Sequence, residues 1–529
     1  MSGSRETPSI LRSVQPSTPD KTLLRFITCG SVDDGKSSLI GRVLFESGSV
    51  PDDQLATLAK DSKKFGTQGD NLDYALLVDG LSAEREQGIT IDVAYRYFST
   101  RNRAFIVADT PGHEQYTRNM ATGASNAELA IILVDARKGI LPQTRRHSFI
   151  VSMMGVKHVV VAINKMDLVE YSPFIFNAIE KSYREIAASL NISHVTVIPV
   201  SAVNGDNIAT RSGNTPWYHG PTLIDHLETA EISTSPNSAR FALPVQWVNR
   251  PDANFRGFSG LIASGHVKPG DRITVLPSKR DAVISRIVTF DGDLDQAEAG
   301  QSVTIALDRE VDISRGDVLA LSDNLVGTAK SVEAQILWMS AEPLQVEKSY
   351  LAKIGAVTLP VIISRPETAL DIENYAERPV TVIDLNTIFL SRVTFDRIIP
   401  IERYDDIRDL GSFILIDRMT HEVAALGIVR ALETPAILNS SKSGTKSVRP
   451  VYEPLRRSHL KTASFAASSL IVGLLITLLS LAFAFGTSYA IGIFALVEIL
   501  LFFGHERLWA RTNRGLQVEA SVLSAGEGI

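Results

Sequence analysis

From Leu23 to about Ala230 the chain repeats one pattern. The runs LLRFITCG, AFIVADT, LAIILVDA, VVVAINK and VTVIPVSA are nearly continuous in Val, Ile, Leu and Ala, and longer stretches of mixed polarity separate them. Strands apolar on both faces are buried on both faces, and helices in the intervening stretches would cover them, so the pattern predicts an α/β domain around a parallel sheet. Beyond Ser233 the texture changes to short β-branched runs (FALPVQWV, SGLIAS, DRITVLP, VISRIVTF, SVTIAL) punctuated by Gly, Pro and Asp. This predicts a small β-barrel, and a second β-rich stretch from Val332 to Leu432 predicts another. Asn439 to Pro454 has the composition of a linker.

The far end is apolar. Ala463 to Phe485 carries no charge, and Thr487 to Phe503 is interrupted only by Glu498. At about 1.5 Å per residue the first segment is long enough for a hydrocarbon core of roughly 30 Å, and the second lies at the lower limit, so a two-helix transmembrane hairpin is expected. Arg456, Arg457 and Lys461 precede the pair, Arg507, Arg511 and Arg514 follow it, and the connection is uncharged, which places both ends in the cytoplasm and the chain on the cytoplasmic face of the inner membrane. Glu498 would then face the other helix or a partner, or be protonated. The alternative is an apolar hairpin buried in an oligomer interface.

Composition narrows the picture a little. A chain of 529 residues is too long for one core. A net charge of -6 gives no electrostatic reason to expect nucleic acid as a partner. The single cysteine, Cys29, excludes intrachain disulfides and multi-cysteine metal sites. The first residues are rich in Ser, Thr and Pro, without the apolar stretch of a secretory signal, and read as a flexible leader.

Chemistry enters where the first run ends. Gly30-Ser31-Val32-Asp33-Asp34-Gly35-Lys36-Ser37 satisfies the phosphate-loop pattern G-x-x-x-x-G-K-[ST]. Backbone N–H groups of such a loop turn inward around phosphate, the following helix presents its positive end, Lys36 bridges phosphate oxygens, and Ser37 can ligate Mg²⁺. Asp109-Thr110-Pro111-Gly112 closes the next buried run; Asp109 can reach the metal and the Gly112 N–H the γ-phosphate. Asn164-Lys165-Met166-Asp167 ends another run. Asp167 suits the N1 and exocyclic amino donors of guanine, a pair that adenine lacks, while Asn164 fixes the loop and the Lys165 stem packs on the ring. Ser201-Ala202 would offer backbone contact to the guanine carbonyl oxygen. Four such elements in this order predict GTP and Mg²⁺ as the ligands, the metal held by Ser37, Thr90 and Asp109. Thr90, His113 and Lys36 are the catalytic candidates: Thr90 closing over the γ-phosphate, His113 orienting the attacking water, Lys36 on the phosphates. For His113 the competing reading is a histidine packed in an interface.

Gly30 to Ser37, Arg85 to Asp92, Asp109 to His113 and Asn164 to Asp167, followed by two barrels, resemble the translation-factor GTPases. The longer strings GSVDDGKSSLIGR, DGLSAEREQGITIDVAYRYFST, ADTPGHEQYTRNMATGAS and DARKGILPQTRRHSFI are similar to the GTPase subunit of bacterial heterodimeric sulfate adenylyltransferase. The resemblance implies GTP hydrolysis coupled to formation of adenylyl sulfate and diphosphate from ATP and sulfate on a partner adenylyltransferase subunit. The chain has one phosphate loop and neither an S-G-G-x-D-S nor an H-x-G-H pattern, so adenylyl transfer is expected on the partner and no adenylyl-sulfate kinase activity is expected here. A carrier of aminoacyl-tRNA and a membrane signalling GTPase are the competing readings. The division expected from all this is a leader (1–22), a GTP-binding domain (23–232), barrels at 233–330 and 331–435, a linker (436–458), a membrane hairpin (459–510) and a tail (511–529).

Overall fold

A computed structural model describes residues 21–65, 72–78, 90–232, 240–252, 255–433 and 455–483, with 497, 500–502 and 505. They fall into two compact units, 1–436 and 437–529.

The first unit opens with the α/β layer. In chain order its elements are β1 (Thr22–Cys29), α1 (Lys36–Glu46), α2 (Asp52–Phe65), β2 (Ala94–Ser99), β3 (Arg103–Asp109), α3 (Thr117–Ser125), β4 (Leu129–Asp135), α4 (Pro142–Met153), β5 (His158–Asn164), α5 (Pro173–Ser189), β6 (His194–Pro199) and α6 (Leu223–Thr229). The strands form one six-stranded sheet in the order β2-β3-β1-β4-β5-β6. All neighbours are parallel except β2, which runs antiparallel to β3. The expected parallel sheet therefore gains an antiparallel edge. Its alternating exposure, with Tyr95 and Tyr97 turned outward, is that of an edge strand rather than a buried run.

Side chains alternate across the sheet, so Leu24 and Phe26 join one apolar layer with Leu39 and Ile40 of α1. Ile27 and Cys29 join the other, with Met120 of α3 and Ile150 of α4. Burial pushes the Cys29 thiol up to about 12, so it stays protonated. The chain moves from β1 to β3 on one side and then to β4 on the other. The order therefore reverses at β1, and in such sheets ligands bind in the crevice beyond the carboxyl ends of the strands at that point.

Two eight-stranded antiparallel sheets follow. The first curls around Phe241, Leu243, Phe258, Ile273 and Ile305. In the second, Thr328–Trp338 pairs with both Val423–Leu432 and Ile388–Pro400, which closes the sheet into a barrel. This second barrel is not hung on a tether. The apolar layer containing Ile150, Met153 and Met154 runs on without a break into Leu337, Met339, Ile388, Tyr404 and Ile428 of the barrel. Around it, Tyr404 Oη donates to the Met154 carbonyl at 3.0 Å, Arg408 Nη2 to the Gly155 carbonyl at 2.8 Å and Tyr375 Oη to the Arg145 carbonyl at 3.1 Å.

The expected membrane hairpin is corrected by the second unit. Among the described residues no helix is long and apolar enough to cross a membrane. The helix Leu455–Phe483 opens on Arg456, Arg457, His459 and Lys461. Its described side chains run from 463 to 478 and include Ser464, Ser468, Ser469 and Thr477. Of the second segment only Val497, Leu500, Leu501 and Phe502 are described, and Glu498 lies outside the described residues. The transmembrane reading, the membrane as a partner and the inner-membrane location fall together.

Candidate functional site

The phosphate loop, the Asp109 turn, the Asn164 turn and Ser201-Ala202 follow the carboxyl ends of β1, β3, β5 and β6 of one sheet, so the fold gathers them on one edge, while Thr90 lies just before β2. After β1 the chain turns through Asp33 (φ 68) and Gly35 (φ 93), two left-handed positions, and enters α1. Gly35 caps that helix with no side-chain hydrogen bond, which leaves the first N–H groups and the positive end of the helix directed at the loop. Lys36 is buried and folds back, its Nζ donating to the Gly30 and Ser31 carbonyls at 2.9 Å each. Burial lowers its pKa, and the carboxylates of Asp109 and Asp34 oppose that, which places both beside it.

Asp109 is buried at the end of β3. Thr110 is fully buried and its hydroxyl donates to the Thr28 carbonyl at 2.7 Å, so it ties β3 to β1 rather than facing the crevice. Pro111 is buried, and Gly112 lies so close to the loop that a Cβ there would stand 2.4 Å from Lys36 Nζ and 2.6 Å from the Gly30 oxygen. Only glycine lets these two segments share one cradle. His113 follows, half-buried, its Nδ1 accepting from the Gln115 N–H at 3.3 Å and its ring beside Tyr116 at 5.9 Å.

The base end is braced to the phosphate end. Asn164 Nδ2 donates to the Asp34 carbonyl at 2.8 Å, while its Oδ1 accepts from the Ala202 N–H at 3.0 Å. Lys165, itself left-handed at φ 62, bonds the Asp33 carbonyl and forms an ion pair with Asp135 at 3.1 Å. Ser201 is fully buried, its N–H directed at the Asp206 carbonyl at 3.4 Å, so the N–H groups of both Ser201 and Ala202 are engaged within the protein. Met166 is fully buried in the core, and Asp167 stays half-exposed on the turn Met166–Val169, where its carboxylate accepts no hydrogen bond among the described residues. Ser37 and Val32 are half-buried at the loop. Thr90 is half-buried, and its neighbour Ile91 is tied to α3 through Asn119 Nδ2 at 2.7 Å. Arg85 to Ile89, part of the resemblance, lie outside the described residues.

The chain matches the model for the elongation factor Tu GTP binding domain over residues 21–237, for elongation factor Tu domain 2 over 258–320, and for the GTP-eEF1A C-terminal domain-like family over 331–430. It is similar to the sulfate adenylyltransferase subunit 1 of Aliarcobacter butzleri, 52% identical over 412 residues that cover 78% of this chain and 88% of that one. The subunit 1 of Teredinibacter turnerae is 49% identical over 439 residues, 83% of this chain and 93% of that one. That of Citrobacter koseri is 52% identical over 411 residues, 78% and 86% of the two chains. The chain belongs to the sulfate adenylyltransferase subunit 1 family.

Two acidic residues of this family member carry more of the site than its sequence suggested. Asp135 ends β4 as Asp109 ends β3. Its burial disfavours charge, but hydrogen bonds from Arg137 and Lys165 outweigh that and hold its carboxyl well below the usual range. The strand-end position was the available signal. Asp34 is the other. Its Oδ2 accepts from the Ser31 N–H at 2.6 Å, but its buried Oδ1 has no hydrogen-bond partner among the described residues, and burial raises its pKa to about 6 against the lowering by Ser31 and Lys36.

A raised folded-state pKa means that the folded protein binds the proton more tightly than the unfolded chain. The folded state is favoured below pH 4 and loses that advantage as pH rises toward 6. Asp34→Asn should therefore raise the melting temperature of nucleotide-free protein at pH 7.5, by the equivalent of at most about 3 kcal/mol, with the gain shrinking toward pH 4. Thermal melts of both proteins across pH 4 to 8 check this, and a pH-independent difference would refute it.

Proposed function

We propose that the crevice binds GTP with Mg²⁺ and that its hydrolysis drives formation of adenylyl sulfate and diphosphate from ATP and sulfate on a partner subunit. The observation that carries the nucleotide assignment is the bracing of Asn164 to both the Asp34 carbonyl and the Ala202 N–H. It joins a phosphate-cradling loop to a guanine-reading loop at a fixed separation, which only a ligand bearing both ends would need. The coupling to sulfate activation is carried by family membership, since the name sulfate adenylyltransferase subunit 1 describes one part of a larger enzyme.

The residues fit the ligands. Gly30, Ser31, Val32, Asp33, Asp34 and Gly35 supply a glycine-flanked loop at an uncapped helix end, suited to an anion. Ser37, Thr90 and Asp109 offer two hydroxyls and one carboxylate, hard oxygen donors of the kind that hold Mg²⁺ together with phosphate oxygens. When bound, the metal would neutralise charge on the phosphates. Lys36 would leave the Gly30 and Ser31 carbonyls for the phosphates, Gly112 would present its N–H to the γ-phosphate, and Thr110 and Pro111 would hold that turn. His113 would orient water, while Asn164, Lys165, Met166 and Asp167, backed by Ser201 and Ala202, would hold the base. We propose the division into a GTP-binding domain at 23–232 and barrels at 233–330 and 331–435 on the same footing.

The test is pyrophosphate release from ATP and sulfate by the purified chain with and without its partner subunit, in the presence and absence of GTP. Release should require the partner and rise with GTP. GTP hydrolysis indifferent to ATP, sulfate and partner would defeat the coupling while leaving the GTP site intact.

A further inference from the structure

Glu114, the residue after His113, is gripped from two directions. Its carboxylate pairs with Arg146 of α4 at 2.8 Å, and Arg146 is steadied by Gln143 Oε1 at 2.8 Å. Gln143 in turn meets the buried His147 ring at 2.9 Å. The Glu114 carbonyl accepts a hydrogen bond from Nδ2 of Asn386, 3.0 Å away and 272 residues on in the chain. Asn386 belongs to the second barrel, in the turn just before the strand Ile388–Pro400.

The Asn386 turn is built to be rigid. Asn386 is 7% exposed, its own N–H donates to the Trp338 carbonyl at 2.8 Å, and its backbone is left-handed at φ 65. The carbonyl of Met339, which follows Trp338, accepts from Arg118 Nη2 of α3 at 3.0 Å. The barrel thus holds the segment that follows His113 at two points, Glu114 and Arg118. A left-handed turn explains an Asn or a Gly at this position. It does not explain an amide directed into the catalytic segment of another domain.

We propose that Asn386 is a positioning residue for GTP hydrolysis. By fixing the Glu114 carbonyl from the barrel while Arg146 fixes its carboxylate from α4, it sets the backbone from which His113 reaches the attacking water. Turnover then depends on how the barrel is seated, which gives a partner docked on the barrel a route to the hydrolytic step. The inference rests on the role proposed for His113.

Asn386→Asp keeps the shape and the tolerance of a left-handed backbone but removes the donor; Asn386→Gly keeps the turn and removes the side chain. In the full-length chain both should lower the single-turnover rate of GTP hydrolysis roughly tenfold, with the Kd for GTP changed by less than about twofold. In a His113→Ala background the same substitutions should cost nothing further, because the residue they position is gone. An unchanged single-turnover rate in both variants, or losses that add fully to that of His113→Ala, would overturn the proposal. If His113→Ala alone leaves the rate unchanged, the His113 assignment fails instead. A merely structural role would weaken GTP binding and hydrolysis together and would add to His113→Ala.

Discussion

Asp167→Asn is expected to turn a guanine site into a xanthine site. The carboxylate is an acceptor only and matches the two donors on the guanine edge; an amide presents one acceptor and one donor, and xanthine carries a carbonyl where guanine carries its amino group. Asp167 is free to make this contact, since it accepts no hydrogen bond among the described residues and sits half-exposed on the turn after β5. Sites built to hydrogen-bond one partner reject a mismatched one by large factors. The affinity for GTP should fall on the order of 10²- to 10⁴-fold while that for XTP rises. Competition binding with GTP, XTP and ATP measures it directly, and an unaltered order of preference would remove Asp167 from the site.

The second large effect is kinetic. His113→Ala should leave the Kd for GTP nearly unchanged and slow hydrolysis on the order of 10²- to 10³-fold, the usual worth of one group that orients a nucleophile or a proton. Because Nδ1 accepts from the Gln115 N–H, the proton of the neutral ring lies on Nε2. The ring can then steer water by donating to it. His113→Gln, which retains an N–H donor, should keep more of the rate than His113→Ala. If the two variants hydrolyse GTP equally slowly, something other than the donor is lost; if neither is slow, His113 is only a packed side chain.

The candidate site could be proposed from the sequence because each of its parts is local. Eight consecutive residues make the phosphate-loop pattern and four the Asn164–Asp167 turn, and the buried runs before them locate both at strand ends. What could not be read is what joins distant segments. Asn164 touches Asp34 and Ala202, Lys165 touches Asp135, and Asn386 touches Glu114, with no periodicity or spacing to betray any of them. Strand β2 was missed as an antiparallel edge because its exposed Tyr95 and Tyr97 break the buried-run pattern. The tail was misread for a related reason. Hydropathy along the sequence counts apolar residues, whereas crossing a bilayer requires one helix that is both long and apolar enough, and no helix among the described residues is.

The apolar layer that passes from α4 into the second barrel bears on how this protein comes apart. Ile150 and Met154 share one interior with Leu337, Met339 and Ile428, so the two sides are joined by a common apolar layer in addition to the core each has of its own. Heat or denaturant should therefore melt the two as one cooperative body. A gene fragment ending near Ala230 would keep most of that layer but lose Leu337, Met339, Ile388, Tyr404 and Ile428 from it, leaving sticky surface where the barrel belongs rather than a smaller working GTPase.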